Sequence, residues 1–263
     1  MAQPLSPLGA LVRRHDPARF LTALFASPAR RETLFALYAF NHELARAREV
    51  ASEPMLALIR LQWWREVAEG ARRRHEVAGP LGEALDAGAL PAAALGAMIA
   101  AREAEAEPAM PSLAAWRAYV DGTAGALAEA AGHALGAPEA VLPRLRALGA
   151  AYGVAGQLRN IAALASQQRC LLPEDVLAAH GLTTHQVVAA PATAALAPVR
   201  AALAAEGLRF LETGRGRFPR QAIAAALPGV LARRDLARPH APPAPRALGD
   251  QMAVLRAALR ARV

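Results

Sequence analysis

Apolar residues recur along the chain at spacings of three and four, and no stretch alternates convincingly with period two, so the pattern predicts helices throughout. Capping residues followed by proline mark helix starts at Asp16-Pro17 and Ser27-Pro28, and Glu53-Pro54 marks a further break. Helices are predicted near 17–26, 29–50, 55–76, 91–106, 112–135, 138–165, 192–212, 219–237 and 245–262, with a turn at Gly79-Pro80. Within 55–76, Leu56, Ile59, Trp63 and Val67 share one face, which predicts a buried Trp63; adjacent Trp64, about a hundred degrees away, is expected to be at least partly buried. The final helix follows a proline-rich connector and carries Leu248, Met252, Leu255 and Leu259 on one side, with Arg246, Arg256, Arg260 and Arg262 on the others. That arrangement suits either a helix docked on the bundle or a basic amphipathic element that meets a membrane surface or a partner.

Composition narrows the class. The chain has 263 residues, 54% of them hydrophobic and rich in Ala and Leu, with few aromatics and few β-branched runs. The expectation is an all-α protein forming a single domain over residues 1–263. Its net charge is +8, and all 30 basic residues are Arg. An all-Arg habit reflects genomic base composition more than selection at a site, and charge alone selects no partner. The lone Cys170 excludes an internal disulfide and a cysteine zinc site, which points to a reducing compartment. The N-terminal MAQPLSPLGALVRRHDP lacks the organisation of a secretion signal, and the longest uncharged runs, Ala87 to Ala101 and Leu182 to Val199, are broken by proline. A cytoplasmic protein, peripheral at the inner membrane at most, is expected.

Several chemistries are excluded by spacing. No two histidines stand four apart on a helix, GRGR at Gly214 to Arg217 lacks the strand and later glycine of a nucleotide loop, and no serine sits in a nucleophile elbow. Aromatics interleaved with the basic residues are too few for a stacking platform, so no nucleic-acid partner is expected.

Three segments carry a resemblance: RRETLFALYAFNHELARAREVASEP, IRLQWWREVAEG, and YGVAGQLRNIAALASQQRCLLPEDVLAAHGL. With RFLTALFASP and the spacing between them, they resemble the squalene/phytoene synthase family over most of the first 185 residues. The resemblance implies an isoprenoid-synthase-like helical bundle around a central cavity. In that family the first segment carries two adjacent aspartates and a third three residues on, and those positions match Ala45, Arg46 and Glu49. The second keeps Gln157, Leu158, Asn160 and Ile161, yet runs without an acidic group to Arg169 across a shortened turn. NHELA, QWW and Leu158-Arg159 resemble in particular the mitochondrial respiratory complex I assembly factors and their bacterial relatives.

The chemistry explains why these losses matter. A prenyl diphosphate leaves when Mg²⁺ absorbs its developing charge, and Mg²⁺ needs hard carboxylate ligands. An arginine in a ligand position turns an attraction of about 4 kcal/mol, at an effective dielectric of 20 and 4 Å, into repulsion of the cation.

The resemblance therefore implies a non-catalytic, synthase-fold protein that binds an isoprenoid-like lipid or a protein partner in respiratory complex assembly, with no cofactor and peripheral membrane contact. The alternative is an active prenyl-diphosphate transferase with a reduced Mg²⁺ site in which Glu49 is the weak metal candidate. A vestigial pocket would bring together three helix faces. Asn41, Ala45 and Glu49, beside Arg46, form one; Gln157, Asn160 and Leu164, with Arg169 beyond, form another; Arg102 and Glu105 form the third. Each has a plainer alternative. Asn41 and Asn160 would satisfy buried backbone groups, Arg102 and Glu105 would be a surface pair, and Gln157 and Arg159 would hold the 165–170 loop.

Overall fold

Proline at the first helical position opens one helix after another, as the capping pattern predicts. A computed structural model describes residues 5–51, 53–241 and 244–263. Met1–Pro4, part of the N-terminal signal reading, and Pro242-Pro243 of the connector lie outside the described residues. Helices α1 (Pro7–His15), α2 (Pro17–Ala23), α3 (Pro28–Glu49) and α4 (Pro54–Ala68) each carry proline in the first turn. Ser6 and Asp16 cap the first two by accepting from the amides of Gly9 and Arg19. Then come α5 (Ala78–Asp86), α6 (Ala92–Arg102) with a 3₁₀ turn at Glu103–Ala106, and α7 (Leu113–Val120), which runs through a π-helical segment, Asp121–Gly125, into α8 (Ala126–Ala134). Helices α9 (Leu142–Arg159), α10 (Ile161–Ser166), α11 (Glu174–Ala179), α12 (Thr184–Ala189) and α13 (Ala197–Gly214) follow. The chain ends in α14 (Ile223–Ala226), α15 (Pro228–Leu236) and α16 (Leu248–Arg260). The fold is all-α: no strand forms among the described residues, only isolated bridges at Met110–Pro173 and Arg217–Arg262.

Helix α9 is the axis of the bundle, packed against α8, α13, α15 and the π segment. Its buried residues, among them Leu145, Leu148, Ala151 and Val154, lie all round it, which explains why it shows no single apolar stripe. Two glycines let the π segment close on it. A Cβ at Gly149 would collide with the Ala124 carbonyl, and one at Gly153 would lie 2.7 Å from the Ala124 methyl. The Thr123 hydroxyl donates to the Tyr119 carbonyl at 2.7 Å, supplying a partner where the helical ladder is disturbed.

Several expectations are corrected. The predicted 55–76 helix stops at Ala68, because Gly70 adopts φ 111° and closes a Schellman turn, with Ala71 N–H donating to the Glu66 carbonyl at 2.8 Å. Its buried face is Ala57, Leu61, Trp64 and Val67, not Leu56, Ile59 and Trp63. Leu56 and Ile59 are exposed, and Trp63 is half-buried, packed edge-on against Trp64 and His75. The Gly79-Pro80 pair lies in the first turn of α5, where proline is tolerated. The predicted 138–165 helix breaks at Asn160. Helices α1, α5, α11 and α12 fall outside the predicted set.

Candidate functional site

A cavity of about 390 Å³ opens where α3, the π segment and α9 meet the first and last parts of the chain. Asn41 and Ala45 line it from α3, Arg102 from α6, and Gln157 and Asn160 from the end of α9. Arg46, Glu49, Glu105 and Arg169 do not line it. Arg46 turns aside to Glu43 at 3.2 Å, and Glu49 is exposed at the end of α3, 3.5 Å from the Gln167 amide. Leu164 packs against the core from α10.

Behind the cavity wall lies a buried charge cluster. The Glu105 carboxylate accepts from Arg102 at 2.5 Å, from the Tyr119 hydroxyl at 2.7 Å and from Arg169 at 3.0 Å. Arg102 also reaches the Asn41 side-chain oxygen at 3.3 Å. Glu105 is only 6% exposed, so the reading of Arg102 and Glu105 as a surface pair is wrong. Burial alone would push the Glu105 carboxyl up. The Arg102 charge and the hydrogen bonds from Tyr119, Arg102 and Arg169 overcome it and hold the group below the usual carboxylate range. Burial, reinforced by the Glu105 charge, raises the Tyr119 hydroxyl, which stays a donor. Arg169 comes from the segment after α10, which a sequence spacing of 64 residues from Glu105 does not announce.

The opposite wall is built from residues that the sequence pattern does not single out for a cavity. Asp16 caps α2 and pairs with Arg19 at 2.7 Å, while the Arg19 guanidinium lies over the Tyr152 ring at 4.8 Å. Arg246 forks onto Asp235 at 2.7 and 2.8 Å, and Arg159 approaches the same carboxylate at 3.4 Å. Arg159 thus ties α9 to α15 and the connector rather than holding the 165–170 loop. Asp16-Pro17 is legible as a helix start, but nothing in the local pattern announces that it faces the cavity. The cavity wall carries four arginines, Arg19, Arg102, Arg159 and Arg246, against two aspartates, an excess of positive charge. Among the described residues the Gln157 side-chain oxygen has no partner, a buried acceptor that a donor would satisfy.

The sequence profile of squalene/phytoene synthases matches residues 12–258. This chain belongs to the squalene/phytoene synthase family. A synthase fold also emerges from solved structures. A dehydrosqualene synthase in complex with ligand superposes with a TM-score of 0.78 at 15% identity, covering 96% of this chain and 94% of that one. Squalene synthase HpnC from Alicyclobacillus acidocaldarius superposes at 0.65 and 19% identity, covering 97% and 92%. Both likenesses concern the fold alone. Among curated proteins, complex I assembly factor 6 of Homo sapiens is 37% identical over 59 residues, and that of Bos taurus 36% over the same length. Each match spans 22% of this chain and 18% of the relative.

The donor set at the cavity does not fit a Mg²⁺ clamp. Asp16, Asp235 and Glu105 each spend their oxygens on arginine, and among the described residues no three His, Cys, Asp or Glu side chains converge on one point. Ala45 and Gln157, on facing walls, offer the cavity a methyl group and an amide.

Proposed function

We propose that this chain is a non-catalytic member of the synthase family that holds an isoprenoid-like lipid through an anionic head, or a protein partner, during assembly of a respiratory complex. It would work as a peripheral protein at the inner membrane. The observation that carries the reading is the charge state of the cavity: every carboxylate at or behind its wall is neutralised by arginine, and arginine remains in excess. A synthase needs the opposite, free carboxylates that gather metal around a diphosphate. Here the guanidinium groups themselves suit an anionic head. The assembly role draws on the short likeness to complex I assembly factor 6.

A second reading, an active prenyl-diphosphate transferase, is favoured by the membership of the family and the synthase-like cavity. Calorimetric titration with farnesyl thiolodiphosphate separates the two. The non-catalytic reading predicts binding that is indifferent to Mg²⁺ and weakened at least tenfold by Arg159→Gln with Arg246→Gln. Binding that requires Mg²⁺ would favour the transferase.

A further inference from the structure

The last helix docks by the face that its apolar pattern does not mark. Val254 and Ala257 are buried against the bundle, and Arg234 pins the helix start through Asp250 at 2.6 Å. Leu248, Met252, Leu255 and Leu259 recur every three or four residues on the side opposite Val254, and all face solvent. Leu248 and Leu259 are each 71% exposed. Such a continuous stripe on a helix whose other face is satisfied has no role in the core.

Beside the stripe lies a pocket of about 450 Å³ lined by Arg215, Arg233, Arg256, Arg260 and Arg262, with no acidic side chain among the described residues of its wall. The pocket is built rather than incidental. Ala261 takes the left-handed conformation at φ 49° and turns the chain back, so that Phe218 N–H donates to the Ala261 carbonyl at 2.9 Å and Val263 pairs with Gly216. On the other side Arg144 stacks on Phe218 at 4.5 Å and donates to the Arg215 carbonyl at 2.8 Å. Arg215 pairs with Glu212. Arg233, Arg256, Arg260 and Arg262 have no acidic partner within 4.0 Å among the described residues. Four exposed guanidiniums without an acidic partner among the described residues thus line one pocket, where an anion would meet no competing carboxylate side chain.

We propose that this face of α16 is a docking site for an anionic phospholipid bilayer, with the leucine stripe entering the acyl boundary and the arginine pocket taking headgroup phosphates. The charge complementarity selects the occupant: an apolar protein groove would match the stripe but would leave the arginines unanswered. An amphipathic helix of this kind lies in the plane of the interface, with the basic flank at headgroup level. The inference rests on the peripheral-membrane part of the proposed function and not on what fills the central cavity.

The test is co-sedimentation of the full chain with sucrose-loaded phosphatidylcholine vesicles, with and without about one third phosphatidylglycerol, where each surface arginine is worth roughly fivefold in affinity. Wild type should bind anionic vesicles and scarcely bind neutral ones. Arg256→Gln with Arg260→Gln should weaken anionic binding about 25-fold. Leu248→Ser with Leu259→Ser should abolish it while leaving the circular dichroism unchanged, since both side chains are exposed. Arg13→Gln with Arg14→Gln removes the same charge from exposed positions on α1 and should change binding less than twofold. Titration of the same variants with farnesyl thiolodiphosphate in solution should match wild type, which separates failure of this face from failure of the cavity reading. Equal losses for the α1 and α16 arginine pairs would overturn the proposal. So would binding that the leucine substitutions leave intact, or that single-stranded RNA competes away.

Discussion

Replacing Glu105 by glutamine tests whether the buried charge cluster stabilises the fold as its geometry implies. The carboxylate is 6% exposed and accepts from two guanidiniums and a phenol, at 2.5, 3.0 and 2.7 Å. Glutamine keeps the shape but leaves Arg102 and Arg169 facing a neutral group, and one amide hydrogen must point at a guanidinium. Each lost attraction is about 4 kcal/mol at an effective dielectric of 20 and 4 Å, partly offset because a neutral side chain costs less to bury. Broken buried pairs settle at a net loss of about 3–5 kcal/mol, and that is the expected cost at pH 7 in urea unfolding. The pH dependence has a definite sign. Because Glu105 is held below the usual carboxylate range, its contribution is complete above the unfolded value of about 4.3 and is lost as pH falls through the lower folded value. The gap between wild type and variant should therefore be the same at pH 7 and about pH 5.5, and should narrow below about pH 4. A gap under about 1 kcal/mol at pH 7, the size of an exposed pair, or a gap that widens in acid, would refute the reasoning.

Three further outcomes follow from the packing. Trp64→Ala should lower stability by about 3–5 kcal/mol, and Trp63→Ala by roughly half that, because only Trp64 is fully enclosed; equal losses in urea midpoints would contradict the corrected face of α4. Gly149→Ala should cost about 1–3 kcal/mol or more by forcing α9 away from the Ala124 carbonyl, and an unchanged thermal midpoint would show that the contact yields freely. His42 stacks on His15 with ring centroids 4.1 Å apart, and burial, then the neighbouring His15, keeps it below its ordinary value. Its unfolded form takes a proton near 6.5, so wild-type stability should fall as pH drops from about 7 to 5, and His42→Gln should flatten that slope.

The helical class and several helix starts are legible in the sequence because proline at the first helical position acts locally, after the capping Asp16 at Pro17 and, without a side-chain cap, at Pro28. Which face of a helix is buried is less legible where apolar residues lie on both sides. On α4, Leu56 and Ile59 compete with Leu61 and Trp64, and on α16 the leucine stripe outweighs the modest pair Val254 and Ala257 that docks. The site divides in the same way. Helical spacing places Asn41 with Ala45 and Gln157 with Asn160, and the structure sets these pairs around one cavity. Arg46 and Glu49 share their helix but turn elsewhere, since a side chain's direction depends on partners such as Glu43 and Gln167. Contacts across the fold leave no local trace: Arg169 on Glu105, Arg246 on Asp235, and Asp16 at the cavity rim are separated in sequence from the walls they complete.

The proposed function holds that the cavity does not perform Mg²⁺-assisted ionisation of prenyl diphosphates. Incubation of the full chain with radiolabelled farnesyl and geranylgeranyl diphosphates and Mg²⁺, with extraction of released diphosphate and hydrocarbon products, measures this directly. The account predicts no product above the protein-free background, with or without chelator. Product that accumulates with enzyme concentration, disappears on chelation of Mg²⁺ and is lost in Glu49→Gln would contradict it.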